Sequence, residues 1–327
     1  MAKVTSAFTT YSAKGNREDL SNAIYNIDPF DTPVVSASRR RNVKNRSFDW
    51  QTEFLPVVDG NNAQVEGFQL ANTTATATVR LTNVTQISKR DATVSGSQEE
   101  VDAAGKGSEM AHQMAISAKV LKSDMEFIAC SRQALVAGDD STPTARKTEA
   151  IAHWIGRAAD KNAVANAAVV GFTASGLPTA ATDAFTAVAG GSQVSITEAM
   201  LNTAMQNSYV MGGSPSMLIL PPGPRHTVSG FVGRSTTQVL VGKTEVISTV
   251  DIVATDFGRI KVMPSRWVAA DVGLLLDPDY LAVSYFRNFR QYLLAKVGDA
   301  ETRMIVAEWG IEMRNPLGHI LFNGIKA

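Results

Sequence analysis

At 327 residues the chain has room for two domains, or for one domain with large excursions. Hydrophobic residues make up 44% and charged residues 19%, the balance of an ordinary folded protein, which excludes a wholly disordered chain. Lysine plus arginine equal aspartate plus glutamate at 31 each, so no global basic excess exists for gripping nucleic acid, and any basic patch must be local.

The single cysteine, Cys130, rules out an intrachain disulfide, and its helical surroundings Phe127, Ile128 and Ala129 predict a buried structural thiol. Met1–Ala2–Lys3–Val4–Thr5 lacks the apolar core of a signal peptide. No run of about 18 apolar residues predicts a membrane span, and a reducing cytoplasm is the expected place of synthesis and assembly.

Residues 1–16 are small and polar, the composition of a segment with little order in isolation. From Glu18 to Ile27, Leu20, Ile24 and Ile27 recur at helical spacing and predict a short amphipathic helix. Pro29 and Pro33 are expected to stop it and impose extended backbone. The basic run Arg39–Arg40–Arg41, Lys44 and Arg46 follows, then a predicted strand at Ser47–Gln51.

Between Thr52 and Ser97 nothing reads as helix. Thr74, Thr76, Thr78, Val79, Leu81, Val84 and Ile87 favour strands, and Asp59–Gly60–Asn61–Asn62 signals a turn. The prediction is a long two-stranded excursion, too polar to stand alone in water, which something outside the fold should hold. Ser108 opens the strongest helix, with Met110, Met114, Ala118, Leu121, Met125 and Ile128 on one face and Lys119, Lys122, Asp124 and Glu126 expected on the other. It is expected to run towards Leu135, with a second helix over Arg146–Ile155.

Residues 196–264 change character. A helix over Thr197–Asn207, a strand at Met217–Leu220, a helix from Arg225 and strands at Glu245–Val253 and Gly258–Met263 predict a compact α/β subdomain. After Pro264 a β-meander is expected. In it Ile305, Ala307, Trp309, Ile311 and Met313 alternate with Val306, Glu308, Gly310 and Glu312, the pattern of a half-buried strand with the second set outward.

The chemistry-bearing residues form no catalytic or metal-binding constellation. His112, His153, His226 and His319 lack partners at metal-ligand spacing, and no HExxH, CxxC, G-x-S-x-G, Walker lysine loop or GxGxxG occurs. Glu99–Glu100 reads as a solvated or ion-paired run beside a helix start. The basic run is the one local patch. It can contact DNA phosphates, or pair with carboxylates such as Glu99, Glu100 and Asp102 on a neighbouring subunit, and the neutral overall charge favours the second.

An ordered set of short motifs carries a family likeness over about the first 130 residues. It runs from Arg17–Glu18–Asp19–Leu20–Ser21, Ile24–Tyr25–Asn26–Ile27 and Thr32–Pro33 to Trp50–Gln51–Thr52 and Val65–Glu66–Gly67. It continues through Asn83–Ser88 and Val94–Glu99 to the long helix with Lys119, Leu121, Lys122, Asp124, Met125 and Glu126. In these the chain resembles major capsid proteins of tailed, in particular short-tailed, bacteriophages.

The resemblance implies the α+β Johnson fold. An N-terminal arm would span residues 1–49 and an extended β-hairpin loop 50–97. The peripheral domain, with a long spine helix and β-sheet, would take 98–195 and 265–327, and an α/β axial domain 196–264. It also implies hexamers and pentamers of a phage head enclosing double-stranded DNA, with no catalysis, no cofactor and no membrane. A separate scaffolding protein, a portal protein and, optionally, a decoration protein would be partners, and the mature place is the virion. Expected contacts between subunits are Arg17, Glu18, Asp19, Leu20, Ile24 and Ile27 on the arm, and Trp50, Glu66 and Arg80 on the loop. The basic run would serve at a subunit boundary or on the DNA side. On this layout, removing residues 1–49 should abolish particles yet leave a folded subunit. The alternatives are an encapsulin-like compartment shell of the same fold and a soluble hydrolase with an unfamiliar site.

Some such capsids weld subunits by a lysine–asparagine isopeptide bond whose lysine lies on the extended loop. No lysine occurs between Arg46 and Lys89. Assembled particles boiled on a denaturing gel should therefore run as intact monomers, and a covalent ladder would overturn this expectation.

Overall fold

The computed structural model describes residues 31–326 apart from 54, 56–57, 70–76, 102–104, 157–160, 164–169, 173–192, 232–251 and 297. The predicted helix over Glu18–Ile27 lies outside the described residues.

Pro33 does not impose extended backbone. It opens a one-turn helix, α1 (Pro33–Ala37), at the position where its missing N–H costs nothing. Strand β1 (Arg39–Asn42) follows, then β2 (Ser47–Thr52) and β3 (Val79–Val84). The last two pair antiparallel from Ser47↔Val84 to Thr52↔Val79, so the predicted excursion exists. It is shorter than expected. Strand β4 (Gln86–Ser95), read from sequence as part of the excursion, instead leaves it and enters the main sheet. Threonine- and valine-rich segments specify a strand but not its partner.

Helix α2 (Gly96–Glu100) leads to the long helix α3 (Glu109–Cys130). Ser108 caps α3 through a bond from Ala111 N–H at 3.2 Å, and Glu99 accepts from Ser108 Oγ at 2.5 Å and Met110 N–H at 3.0 Å. The acidic run at 99 is thus a capping device. Met110, Met114, Leu121 and Met125 are buried as the periodicity predicts. Glu126, expected on the polar face, is fully buried. The helix ends at Cys130, whose thiol is buried as anticipated.

Helix α4 (Ile151–Gly156) begins five residues later than predicted, because Lys147 makes a bridge to Val136 instead of starting a turn. Strands β5 (Lys161–Ala163) and β6 (Val170–Phe172) form a separate pair. The chain then runs through α5 (Glu198–Val210), β7 (Met217–Leu220), α6 (Pro222–Ser229), β8 (Ile252–Thr255) and β9 (Gly258–Pro264), while residues 245–251 of the predicted strand Glu245–Val253 lie outside the described residues.

The chain after Pro264 supplies β10 (Val272–Leu276), β11 (Leu281–Leu293), β12 (Ala300–Met313) and β13 (Ile320–Asn323). It is not a single meander. Strands β11 and β12 sit in one sheet, ordered β1-β11-β12-β4, while β10 and β13 extend the other, ordered β13-β10-β7-β9-β8. At the junction His319 is fully buried. Its Nδ1 accepts the Asp277 N–H at 3.1 Å, and burial pushes its pKa down to about 4.

Strand β12 is buried on both faces, unlike the half-buried strand predicted. Glu308 and Glu312 are each only 2% exposed, and Ile311, Met313 and Trp309 are equally enclosed. The excursion's base covers the face once assigned to solvent. Gly310 makes room for it: a Cβ there would lie 2.6 Å from the Phe48 ring and 3.0 Å from Val84 O. Gly310→Ala should therefore lower unfolding stability by about 1–3 kcal/mol, the usual cost of overpacking. Chemical denaturation measures it, and an unchanged midpoint would count against this contact as a packing constraint.

Candidate inter-subunit contact site

The basic run splits in two. Arg39 Nη2 meets Asp279 Oδ1 at 2.6 Å, and Arg41 Nη1 meets Glu312 Oε2 at 2.5 Å. Both arginines are thus satisfied by their own chain. The carboxylates they use are carried by the chain's C-terminal portion. Arg40, Lys44 and Arg46 remain exposed and form no ion pair among the described residues.

Behind this edge lies a buried charge ladder that the sequence reading missed. Glu312 also accepts from Arg314 Nε at 2.9 Å and Ser284 Oγ at 3.1 Å. Glu308 accepts from Arg146 Nη2 at 2.6 Å, Arg287 Nε at 2.8 Å and Thr85 Oγ1 at 2.9 Å. A carboxylate removed from water is costly unless paired and hydrogen-bonded, and each of these is held by two guanidinium groups.

The excursion's predicted contacts divide similarly. Trp50 is 7% exposed, donates Nε1–H to Met313 O at 2.9 Å, and packs with Trp154 at a ring distance of 5.3 Å. It is a core anchor of its own subunit. Asp49 pairs with Arg80 across the β2–β3 ladder. Burial opposes ionisation of Asp49, but hydrogen bonds from Thr82 and Arg80 outweigh it and hold the carboxyl below its ordinary range. Glu66 is exposed and makes no ion pair among the described residues. Leu55 and Val58 are 91% and 92% exposed, and Val65 and Phe68 also face outward. Arg17, Glu18, Asp19, Leu20, Ile24 and Ile27 lie outside the described residues.

A family model described as SU10 major capsid protein matches residues 3–326. The chain belongs to that family. It is 26% identical to the major capsid protein of Escherichia phage Phieco32, over 94% of each chain. Among solved structures it resembles the Cyanophage A-1(L) capsid asymmetric unit, with a TM-score of 0.66 at 12% identity, covering 98% of this chain and 99% of that one. The structure titled Phage G gp27 major capsid proteins and gp26 decoration proteins gives 0.51 at 9% identity over the whole of both chains. At such identities the structural likeness speaks for the fold, which is that of the tailed-phage capsid proteins. The protein is thus a phage major capsid protein, a structural component of the virion that assembles into the shell.

In this capsid protein the root of the N-terminal segment is tied to the long helix. Glu126 Oε1 accepts Val34 N–H at 2.9 Å and Oε2 accepts Val35 N–H at 2.8 Å, satisfying two orphan donors of α1. Trp267 Nε1 donates to Asp31 O at 2.7 Å from the opposite side. Burial raises the Glu126 carboxyl to about 7, with the two amides opposing and Asp31 adding to the rise. The nearby Cys130 thiol is pushed well up by burial and by the Glu126 charge. Among the described residues no cluster of His, Cys, Asp or Glu could hold a metal ion, and no helix is long and apolar enough to cross a membrane.

A carboxyl raised on folding binds its proton more tightly in the folded state. Its contribution is largest below its unfolded value of about 4.5 and is lost as pH rises towards about 7. Glu126→Gln cannot titrate. Its stability relative to the parent should therefore improve from pH 5 to pH 8, by up to about 3 kcal/mol. Urea denaturation of both proteins at the two pH values tests this, and a difference that does not vary with pH would overturn it.

Proposed function

We propose that this subunit builds hexamers and pentamers of a phage head that encloses double-stranded DNA, acting without catalysis. A separate scaffolding protein and a portal protein are its assembly partners, and a decoration protein an optional one. The family match from residue 3 to 326 supports this reading. The observation that carries the capsomer reading is the β2–β3 excursion, which projects exposed Leu55, Val58, Val65 and Phe68 with no core beneath them. Exposed apolar residues grouped on one element mark an interaction surface. A second subunit covers them.

The same reading assigns the sheet of β1, β11, β12 and β4, with α3, to the peripheral domain. It assigns the sheet of β7, β8 and β9 to the axial domain, with β10 and β13 as its continuation from the C-terminal part of the chain. The arm proper is the segment before Asp31. Val34, Val43 and Phe48 belong to the hydrophobic core, and β1 pairs with β11, so residues 33–49 are part of the subunit's own fold.

This revises the expected outcome of truncation. Removing residues 1–30 should leave a folded subunit that no longer forms shells, whereas removing 1–49 should unfold it by deleting β1 and the Phe48 packing. Circular dichroism reads the fold, and sedimentation of each truncation beside the full chain reads assembly. Normal shells from the shorter truncation would overturn the role given to the arm.

A further inference from the structure

We propose that the acidic excursion of one subunit seats on the basic root, Arg40, Lys44 and Arg46, of a neighbouring copy of the same chain. This rests on the reading that the excursion contacts a neighbour, and names the surface that receives it.

Charge is segregated along the chain. Residues 39–46 carry Arg39, Arg40, Arg41, Lys44 and Arg46 and no acid. Residues 53–79 carry Glu53, Asp59 and Glu66 and no lysine or arginine. Two of the five cations already have partners in their own chain, Arg39 on Asp279 and Arg41 on Glu312. What remains is a set of three exposed cations at the root and three exposed carboxylates on the excursion.

Neither set finds an ion pair within its own chain among the described residues. Strand β2 separates them: its six residues span roughly 20 Å, several times the reach of an ion pair. A patch and its complement held apart on one rigid element cannot meet each other, but each can meet the other's copy on an adjacent molecule. Such a contact is heterologous, one patch given and a different one received, the kind that closes rings. Opposite fields steer the approach and set the register, while the exposed Leu55, Val58 and Phe68 supply the area to be buried.

The same observations weigh against DNA as occupant of the excursion. A polyanion would be repelled by Glu53, Asp59 and Glu66, and it offers little to Leu55 and Val58. They also weigh against Glu99 as the partner of the root, because Glu99 is engaged in capping α3. Exposed ion pairs are individually weak, and the contact gains from repetition around a closed ring.

A charge-swap series on the full chain tests this under conditions where the unmodified protein forms shells. Glu53→Lys with Glu66→Lys, and Lys44→Glu with Arg46→Glu, should each reduce sedimenting shells at least about tenfold, since each defect recurs at every contact. The fourfold variant should recover most of the loss. Circular dichroism should be unchanged throughout, because all four side chains are exposed. If the excursion pair blocks assembly and the fourfold variant does not restore it, the pairing is wrong while the neighbour contact stands. Normal assembly by the excursion pair would overturn the neighbour contact itself. Normal shells from the root pair that retain less DNA would overturn the proposal in favour of a DNA-facing root.

Discussion

Two buried carboxylates on β12 constrain the rest of the subunit. Glu308 and Glu312 lie two residues either side of Gly310, on the face that the excursion's base covers. Neither could be buried alone. Their partners come from β1 (Arg41), from β11 (Arg287, Ser284), from the turn between β3 and β4 (Thr85), from the segment before α4 (Arg146) and from the residue just after β12 (Arg314). Removing one partner of such a network typically costs about 3–5 kcal/mol, because a charge is left unpaired. These glutamates therefore fix the relative placement of elements far apart in sequence. Trp50 adds a further tie through the Met313 carbonyl.

That placement explains how a subunit can project an excursion with no core of its own. At its base Phe48 and Trp50 are buried in the subunit, and Asn83 Nδ2 donates to Ile311 O at 2.6 Å. Among the described residues beyond Thr52, the apolar Leu55, Val58, Val65 and Phe68 are exposed. A firmly held root with an unsatisfied tip suits a shell. Apolar surface of this kind leaves water only when another surface covers it.

The start of the described chain follows the same economy. Helix α1 is too short to be stable alone, so α3 holds it through Glu126, and the Asp31 carbonyl is fixed by Trp267. Residues 33–49 thereby join the core. Glu126 sits on a dry helix face where burial raises its carboxyl to about 7, although two amide N–H groups point at it.

Much of the fold was legible from local pattern. The spacing of Met110, Met114, Leu121 and Met125 announced the spine helix, Ser108 its start, and the strand at Met217–Leu220 fell where its apolar run lay. The phage-capsid likeness likewise came from short motifs in order. Such features depend on neighbours within one or two turns of chain, and sequence determines them directly.

What the tertiary structure alone decided was pairing and burial. Whether β4 joins β3 or β12, whether Glu308 faces water or arginine, and whether Glu126 lies outside or beneath α1 depend on which distant segment covers a given face. Alternation shows that a strand has two faces but not whether both are covered, so the charged residues on β12 read as surface. The composition of the basic run was plain, but only the fold could divide it into Arg39 and Arg41, paired within the subunit, and the exposed Arg40, Lys44 and Arg46.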